Sequence, residues 1–233
     1  MRRYFLICLV VLLLVSFVFA GDFRVDSVLL KTAIKSNGSF DSGLNIENLG
    51  DLQEFDIDVG DLGDFVEVDS VSFELAEAEI KNLNLKFSNK MEREEGIYVG
   101  FVGVSSGSDE KKIPVILEIE TKDVLFDSNL GVFPAGEIFP GETVNVEIKI
   151  FDLGQVGTSN LEMNYFVRSL DGKMIFSETE SVNVKDQVVI SKSVSIPEDA
   201  EPGDYVLGVY LKYKNSMGTS SALFRVKQKE EKG

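Results

Sequence analysis

The residues best suited to chemistry lie in an acidic segment, Glu54–Asp69. It contains four candidate metal ligands: Asp56, Asp58, Asp61 and Asp64. The first two have the spacing that puts side chains on one face of a strand, and the others follow in a turn. Converging carboxylates are the ligands that Ca²⁺ prefers, but Gly60 stands where an EF-hand loop requires a ligand. A solvated strand face with an acidic hairpin explains the same residues, so Ca²⁺ is a hypothesis and no cofactor is required.

A second pattern concerns covalent catalysis. Ser108-Asp109-Glu110-Lys111 has the Ser-x-x-Lys spacing of some acyl enzymes, which place the Lys beside the Ser on a helix. Here the pattern falls in a Gly- and Ser-containing turn. The chain has no His, and its one Cys is Cys8, so Ser-His-Asp and Cys-His machinery and His- or Cys-ligated metals within one chain are excluded. We therefore expect no enzymatic activity.

Two further residues are candidates for contacts. Asn37-Gly38-Ser39 is an acceptor pattern for a glycan in an exported chain, and Asn-Gly also favours a hairpin turn. Tyr210 alternates with Val209 and Leu211, so it is expected to face away from the core and to be available for a contact. A sugar site built on paired carboxylates would normally use aromatic platforms, and Trp is absent.

Charge restricts the partners. The chain has 39 Asp plus Glu against 23 Lys plus Arg, a formal net charge of −16. A field of that sign repels nucleic acid and anionic lipid, while it suits basic partners or divalent cations. We expect a protein or cell-envelope partner, and no nucleic acid.

The amino terminus has the order of a secretory signal peptide. Arg2 and Arg3 precede the apolar run Tyr4–Phe19, and Ala20 supplies a small residue before Gly21. The prediction is cleavage after Ala20 and an extracellular or cell-surface protein. Because the run is only slightly shorter than the roughly 20 residues that span a bilayer, an uncleaved membrane anchor with the body outside is the alternative, and membrane contact is expected only in that case.

Elements that could position these residues are strands rather than helices. Short alternating runs recur along the chain, separated every 8–12 residues by turns such as Asp171-Gly172 and Asn215–Gly218. The clearest runs are Leu83-Leu85-Phe87, Val144-Val146-Ile148-Ile150, Leu161-Met163-Tyr165-Val167 and Tyr205-Leu207-Val209-Leu211-Tyr213. Each is expected to have one buried and one solvent-exposed face. About seven strands per half, including single strands over 24–34 and 65–74, match the count of an immunoglobulin-type sandwich.

The predicted organisation is all-β, with two tandem immunoglobulin-like antiparallel β-sandwiches after an amino-terminal signal helix. The predicted bounds are residues 1–20 for the signal peptide or anchor, 21–121 and 122–228 for the sandwiches, and 229–233 for a charged tail. The join lacks a Gly- or Pro-rich linker, so a stiff pair is expected.

Turn-rich motifs in both halves resemble those of a known group of surface modules. The motifs are Leu44–Asp51, Glu95–Gly100 and Ile113-Pro114-Val115 in the first half, with Phe139–Val144, Asp171-Gly172-Lys173, Ile196-Pro197 and Pro202–Tyr205 in the second. The chain resembles the Ig-like modules of archaeal and bacterial surface proteins, which include CARDB-like, NEW3-like and S-layer-associated domains. The resemblance implies an exported, non-catalytic adhesion or surface module and transfers no catalytic residues.

The leading hypothesis is therefore a secreted or cell-surface structural and protein-interaction module that presents strand edges and end loops. The alternatives are a Ca²⁺- or carbohydrate-binding accessory protein and a membrane-tethered component of an envelope or export assembly.

Overall fold

The computed structural model describes residues 22–134 and 138–228, and this part of the chain is all-β. The strands are β1 Phe23–Val25, β2 Leu30–Lys35, β3 Ser39–Asn48, β4 Gln53–Asp58, β5 Val66–Val68, β6 Ser72–Leu75, β7 Ile80–Ser88, β8 Gly96–Ser106, β9 Asp109–Glu120, β10 Phe126–Phe133, β11 Thr143–Asp152, β12 Ser159–Ser169, β13 Met174–Val184, β14 Gln187–Ser195, β15 Gly203–Tyr213 and β16 Ser216–Val226. A single 3-10 turn, Gly60–Leu62, interrupts the described strands. The predicted signal helix and charged tail lie outside the described residues.

The first nine strands form two sheets that share one core. One sheet has the order β1-β3-β7-β5 and the other β2-β9-β8-β4-β6. The alternation in β7 is confirmed, because Leu83, Leu85 and Phe87 are buried within this core while the residues between them face outward. Phe55 joins them from β4, with its ring edge-on to that of Phe23 at 5.3 Å.

The last seven strands form two further sheets around a second core. Their orders are β10-β11-β14 and β13-β12-β15-β16. The predicted inward runs on β11, β12 and β15 are confirmed as members of this core, apart from Tyr213, which is partly buried at its margin. The first core draws on residues 23–119 and the second on residues 126–226. The domain boundary after residue 121 stays a prediction.

Two predicted strands are each divided between the sheets of the first half. Residues 24–34 split into β1, which pairs with β3, and β2, which pairs with β9 in the other sheet. Asp26 ends β1, because its carboxylate accepts hydrogen bonds from the backbone N and Nδ2 of Asn45. Residues 65–74 split in the same way into β5 and β6. The expectation of purely antiparallel sheets is also wrong, since β2 and β9 are parallel.

A third apolar cluster joins the two halves, and the expectation of one solvent-exposed face per strand is wrong here. Ile97 and Ile116 from the first half pack with Phe166, Leu170 and Val206 from the second. Strands β9 and β15 are therefore buried on both faces, as the unbroken buried run at the end of β9 shows. Alternation cannot reveal this, because a strand covered on both sides loses its polar face.

Polar contacts border this junction. The Glu118 carboxylate accepts a hydrogen bond from the Ser221 hydroxyl and lies 3.2 Å from Lys31 Nζ. Glu120 pairs with Lys35 at 2.8 Å and accepts the backbone N–H of Thr219. Burial raises the pKa of Glu118, against the opposing effect of Lys31. The two glutamates of β9 thus tie the first half to β16.

Candidate functional site

The four predicted calcium ligands are not gathered in one place. Asp56 and Asp58 do share the exposed face of β4, as predicted, but Asp58 Oδ1 is used to accept the N–H of Gly60 at 2.8 Å. Asp64 pairs with Arg93 at 2.6 Å, and this hydrogen bond raises the pKa of Arg93. Over residues 22–134 and 138–228, no group of three or more Asp, Glu, His or Cys side chains is arranged to hold a metal ion. Calcium binding stays a prediction.

Asp58 and Asp61 instead line a shallow cleft of about 260 Å³ between the two halves. Its other walls include Phe101 from β8 and Leu170 from the loop after β12. Lys112 lies 3.6 Å from Glu110 at the same cleft, so part of the acidic rim is already neutralised within the chain.

The remaining sequence candidates have ordinary structural positions. Asn37 lies exposed in the turn between β2 and β3, but these strands belong to different sheets, so the predicted Asn-Gly turn is not a hairpin. Ser108 lies in the turn before β9, and Lys111 lies in β9 with its Nζ 5.1 Å from the ring centre of Phe23. A strand does not place the Lys beside the Ser as the helical acyl-enzyme motif does.

Tyr210 makes a contact within its own chain. Its hydroxyl accepts the backbone N–H of Ile97 at 3.3 Å, and its ring lies 5.0 Å from that of Phe166 in the third apolar cluster. The residue was expected to be free for a partner. It is partly buried because the first half covers the outer face of β15.

The feature that best suits an interaction is the lateral edge of the second half, which consists of β13 and β14. Each pairs on one side only among the described strands, β13 with β12 and β14 with β11. They contain 11 and 9 residues, and only residues 185 and 186 separate them. Long unpaired strand edges are the places where a protein can accept another strand.

The inward positions of the lateral edge are partly charged. On β13, Glu178 and Glu180 stand opposite the core residues Tyr165 and Met163 of β12. On β14, Lys192 stands opposite Val146 of β11. These charges occupy positions that alternation would assign to apolar side chains, and they disfavour pairing with any strand that does not supply complementary charges.

An ion pair bridges the two strands of the lateral edge. Lys192 Nζ lies 2.5 Å from Glu180 Oε2, with about a quarter of each side chain exposed. The ammonium also lies 5.5 Å from the ring centre of Tyr165, whose hydroxyl donates to Glu178 Oε2 at 2.7 Å. Burial, the hydrogen bond to Glu178 and the negative charge of that residue raise the pKa of Tyr165 far above its ordinary value.

Apolar side chains beside this ion pair remain incompletely covered. Phe176 on β13 and Val188 and Ile190 on β14 pack against the second core but are only partly buried, whereas Ile148 and Val167 on the neighbouring strands are fully buried. Val189 is 51% exposed on the outer face of β14. An added strand would cover this margin and gain apolar contact area.

Sequence reasoning missed the lateral edge because alternation predicts that a segment is a strand, and does not tell which strand ends a sheet. A usable signal was present. Glu178 and Glu180 interrupt the apolar series that continues at Val182, and Lys192 interrupts the series between Ile190 and Val194. Charges at inward positions of otherwise alternating strands indicate an edge.

Comparisons with known proteins give distant structural likenesses. No family model matches the chain, and no curated protein matches it. A protein of unknown function from Porphyromonas gingivalis W83 is 15% identical, with 89% of this chain and 99% of the other covered and a TM-score of 0.47. The YadV chaperone is 10% identical, with 88% and 100% covered and a TM-score of 0.36.

A third similar structure is the CARDB domain of a Pyrococcus furiosus protein, in complex with di-metal ions. It is 13% identical, with 45% of this chain and 88% of that chain covered and a TM-score of 0.30. All three TM-scores lie below 0.5, so none of these proteins supports an assignment of function. Within the described part of the chain, no helix is long and apolar enough to cross a membrane.

Proposed function

We propose that this protein is an exported, non-catalytic, secreted or cell-surface module of two immunoglobulin-like sandwiches that binds a protein or cell-envelope partner through the lateral edge formed by β13 and β14. The observation that carries the proposal is this pair of long strands, each unpaired on its outer side among the described residues. Strand addition at such an edge supplies main-chain hydrogen bonds, and the side chains of the edge supply specificity.

The architecture and composition support the proposal. The seven strands of the second half divide into sheets of four and three, which is the division of a constant-type immunoglobulin sandwich. The apolar run Tyr4–Phe19 after Arg2 and Arg3 supports export. The absence of His and the location of the one Cys at position 8 exclude Ser-His-Asp and Cys-His machinery from the body of the protein.

The junction between the halves supports a mechanical role for the first half. The third apolar cluster and the bonds from Glu118 and Glu120 to β16 hold the two sandwiches face against face. The second half is thereby held firmly while the lateral edge stays accessible. A binding edge on a rigid support loses less conformational entropy when a partner docks.

Site-directed photo-crosslinking in the cell that makes the protein tests the proposal. A photoreactive residue replaces Thr179 on β13 in one variant and Lys86 in the control, because Lys86 is exposed on β7 and is paired on both sides, with Asp41 of β3 and Glu67 of β5. We expect a discrete covalent adduct from position 179 and none from position 86. Failure to obtain an adduct from any exposed position of β13 or β14, with the protein folded and exported, would contradict the proposal.

A further inference from the structure

The charges of the lateral edge are complementary to each other across its two strands. β13 presents Glu178 and Glu180 at inward positions, and β14 presents Lys192. If β13 paired with β13 of another molecule, these glutamates would meet their own counterparts, and like charges directly opposite each other destabilise a strand pair. Pairing β13 with β14 of another molecule allows Glu180 to face Lys192 instead.

The position of the internal ion pair fixes how such a pairing would run. Glu180 and Lys192 meet although they lie on different sheets, and each is about six residues from the turn at 185–186. The two edges therefore lie on the same side of the second half, run in opposite directions and have these two residues at the same height. A two-fold axis parallel to the strands and passing beside this edge would set β13 of one copy antiparallel to β14 of the next.

From this geometry we infer that the partner of the lateral edge is a second copy of this chain, joined by two antiparallel β13–β14 pairings related by a two-fold axis. This inference rests on the proposed function, since it names the partner of the same surface. The interface is isologous and closes at two copies. Each four-stranded sheet continues into the three-stranded sheet of the other copy, which gives two seven-stranded sheets and leaves neither β13 nor β14 unpaired.

Rotation about an axis parallel to the strands leaves the position of every residue along the strand direction unchanged. The register of the inferred pairing follows from this. Glu180 stands opposite Lys192 of the second copy, Val182 opposite Ile190, and Val184 opposite Val188. The inward series of one strand thus meets the inward series of the other, and the partly buried Val188 and Ile190 gain cover. Two Lys and two Glu meet at the centre of the interface, where each ammonium lies between two carboxylates.

Serines on the outer faces permit a direct test of this register. Ser181 and Ser191 are exposed and stand opposite each other across the inferred pairing. Within one copy they point outward from opposite sheets, about 10 Å apart or more, so they cannot form an internal disulfide. In a chain that starts at Gly21, which has no native Cys, the double variant Ser181→Cys/Ser191→Cys is expected to form a disulfide-linked dimer under mild oxidation.

A matched control places the two cysteines out of register. Ser177→Cys/Ser191→Cys changes the same residue types on the same strands, but the two sulfurs would lie four residues out of register, about 13 Å apart along the strand. We expect no rapid cross-link from this control. Sedimentation equilibrium of the unmodified chain is expected to give twice the mass of one chain.

Charge exchange tests the pairing, and urea unfolding of each variant is measured alongside it because the same two residues form the internal ion pair. Lys192→Glu is expected to reduce the mass to that of one chain, and adding Glu180→Lys is expected to restore the dimer because the complementary charges are re-formed. Lys122→Glu, an equal charge change in the loop after β9, is expected to leave the dimer intact. Equal cross-linking of the Ser181/Ser191 and Ser177/Ser191 variants, or a folded chain that sediments as a monomer at all concentrations, would overturn the inference.

The two proposals fail separately. A monomeric chain that still gives an adduct with a different protein from position 179 overturns the second-copy inference and leaves the proposed function in place. A chain that gives neither dimer nor adduct at the lateral edge contradicts both.

Discussion

At Gly218, strands β16 and β10 of the second half approach so closely that no side chain fits between them. A Cβ at this position would lie 2.2 Å from the backbone carbonyl oxygen of Phe126, and a backbone atom cannot move aside as a flexible side chain can. The residue therefore allows β16 to cross beside β10 and helps to close one side of the second half, opposite the lateral edge.

Gly218→Ala is expected to lower the free energy of unfolding by about 1–3 kcal/mol, the usual cost of overpacking a core. Gly203→Ala is the matched control, because a Cβ there meets no atom within 4 Å. Urea denaturation of the two variants measures the difference. Equal midpoints for both would show that the close approach at Gly218 is relieved at no cost.

The pKa of Glu118, raised mainly by burial, gives a prediction about pH. A carboxyl whose pKa is higher in the folded than in the unfolded chain binds its proton more readily when folded, so its contribution to stability is present at low pH and is lost as pH rises through the folded pKa. Glu118→Gln removes this titration and keeps the side-chain shape.

We therefore expect the stability of Glu118→Gln relative to the natural chain to increase as pH rises from about 4, near the model-peptide value of Glu, to neutrality. Thermal or urea unfolding at several pH values measures this trend. A variant whose relative stability falls over the same range would show that the ion pair with Lys31, 3.2 Å away, outweighs burial.

At the scale of elements, β9 has apolar side chains on both faces. Val115, Leu117 and Ile119 point into the first core, and Ile116 points into the junction between the halves. The strand therefore belongs to two packing layers at once, and a substitution on either face should be costly.

Ile116→Ala is expected to destabilise the protein by about 2–5 kcal/mol, the range for removing a buried isoleucine side chain. Ile80→Ala at the start of β7 is the control, since Ile80 is 59% exposed and a substitution there should cost about 0.5 kcal/mol or less. The midpoints of chemical unfolding compare them. Similar small losses of stability for both variants would mean that the two halves do not pack against each other at Ile116.

Sequence patterns predict that a segment is a strand better than they predict which strands pair with it. The alternation of Leu83, Leu85 and Phe87 was sufficient to predict a strand and its buried face, because both depend only on residues two apart. The division of residues 24–34 into β1 and β2 was not predictable in that way, because it depends on the hydrogen bonds that the Asp26 carboxylate accepts from Asn45, 19 positions later in the chain. Pairing partners are long-range contacts that local spacing does not encode.

The candidate site illustrates the same limit. Asp56 and Asp58 were correctly placed on one exposed strand face, but no local pattern specifies that Asp64 is paired with Arg93. Tyr210 was correctly oriented away from the second core and wrongly left uncovered, since the covering sheet comes from residues more than 90 positions earlier in the chain.

At the scale of the whole molecule, the junction should make the two halves unfold together. Phe166 is fully buried in the third cluster, so separating the halves would expose it with Leu170 and Val206. This apolar surface is removed from water only while both halves are folded.

We expect the natural chain to unfold in one urea transition, and Phe166→Ala to show two transitions because it removes the largest of the buried side chains in the third apolar cluster. Far-UV circular dichroism gives the overall transition, and hydrogen exchange read separately over residues 23–119 and 126–226 assigns it to the halves. Two separate transitions already present in the natural chain would contradict this coupling.

The proposed function depends most on the binding of a partner at the lateral edge. Amide hydrogen exchange over residues 174–184 and 187–195 tests it, when the protein in its native surface or secreted preparation is compared with the purified chain at high dilution. We expect slower exchange of these two strands in the native preparation, with the central strands β11 and β12 unchanged. Equally fast exchange of β13 and β14 in both preparations would contradict it.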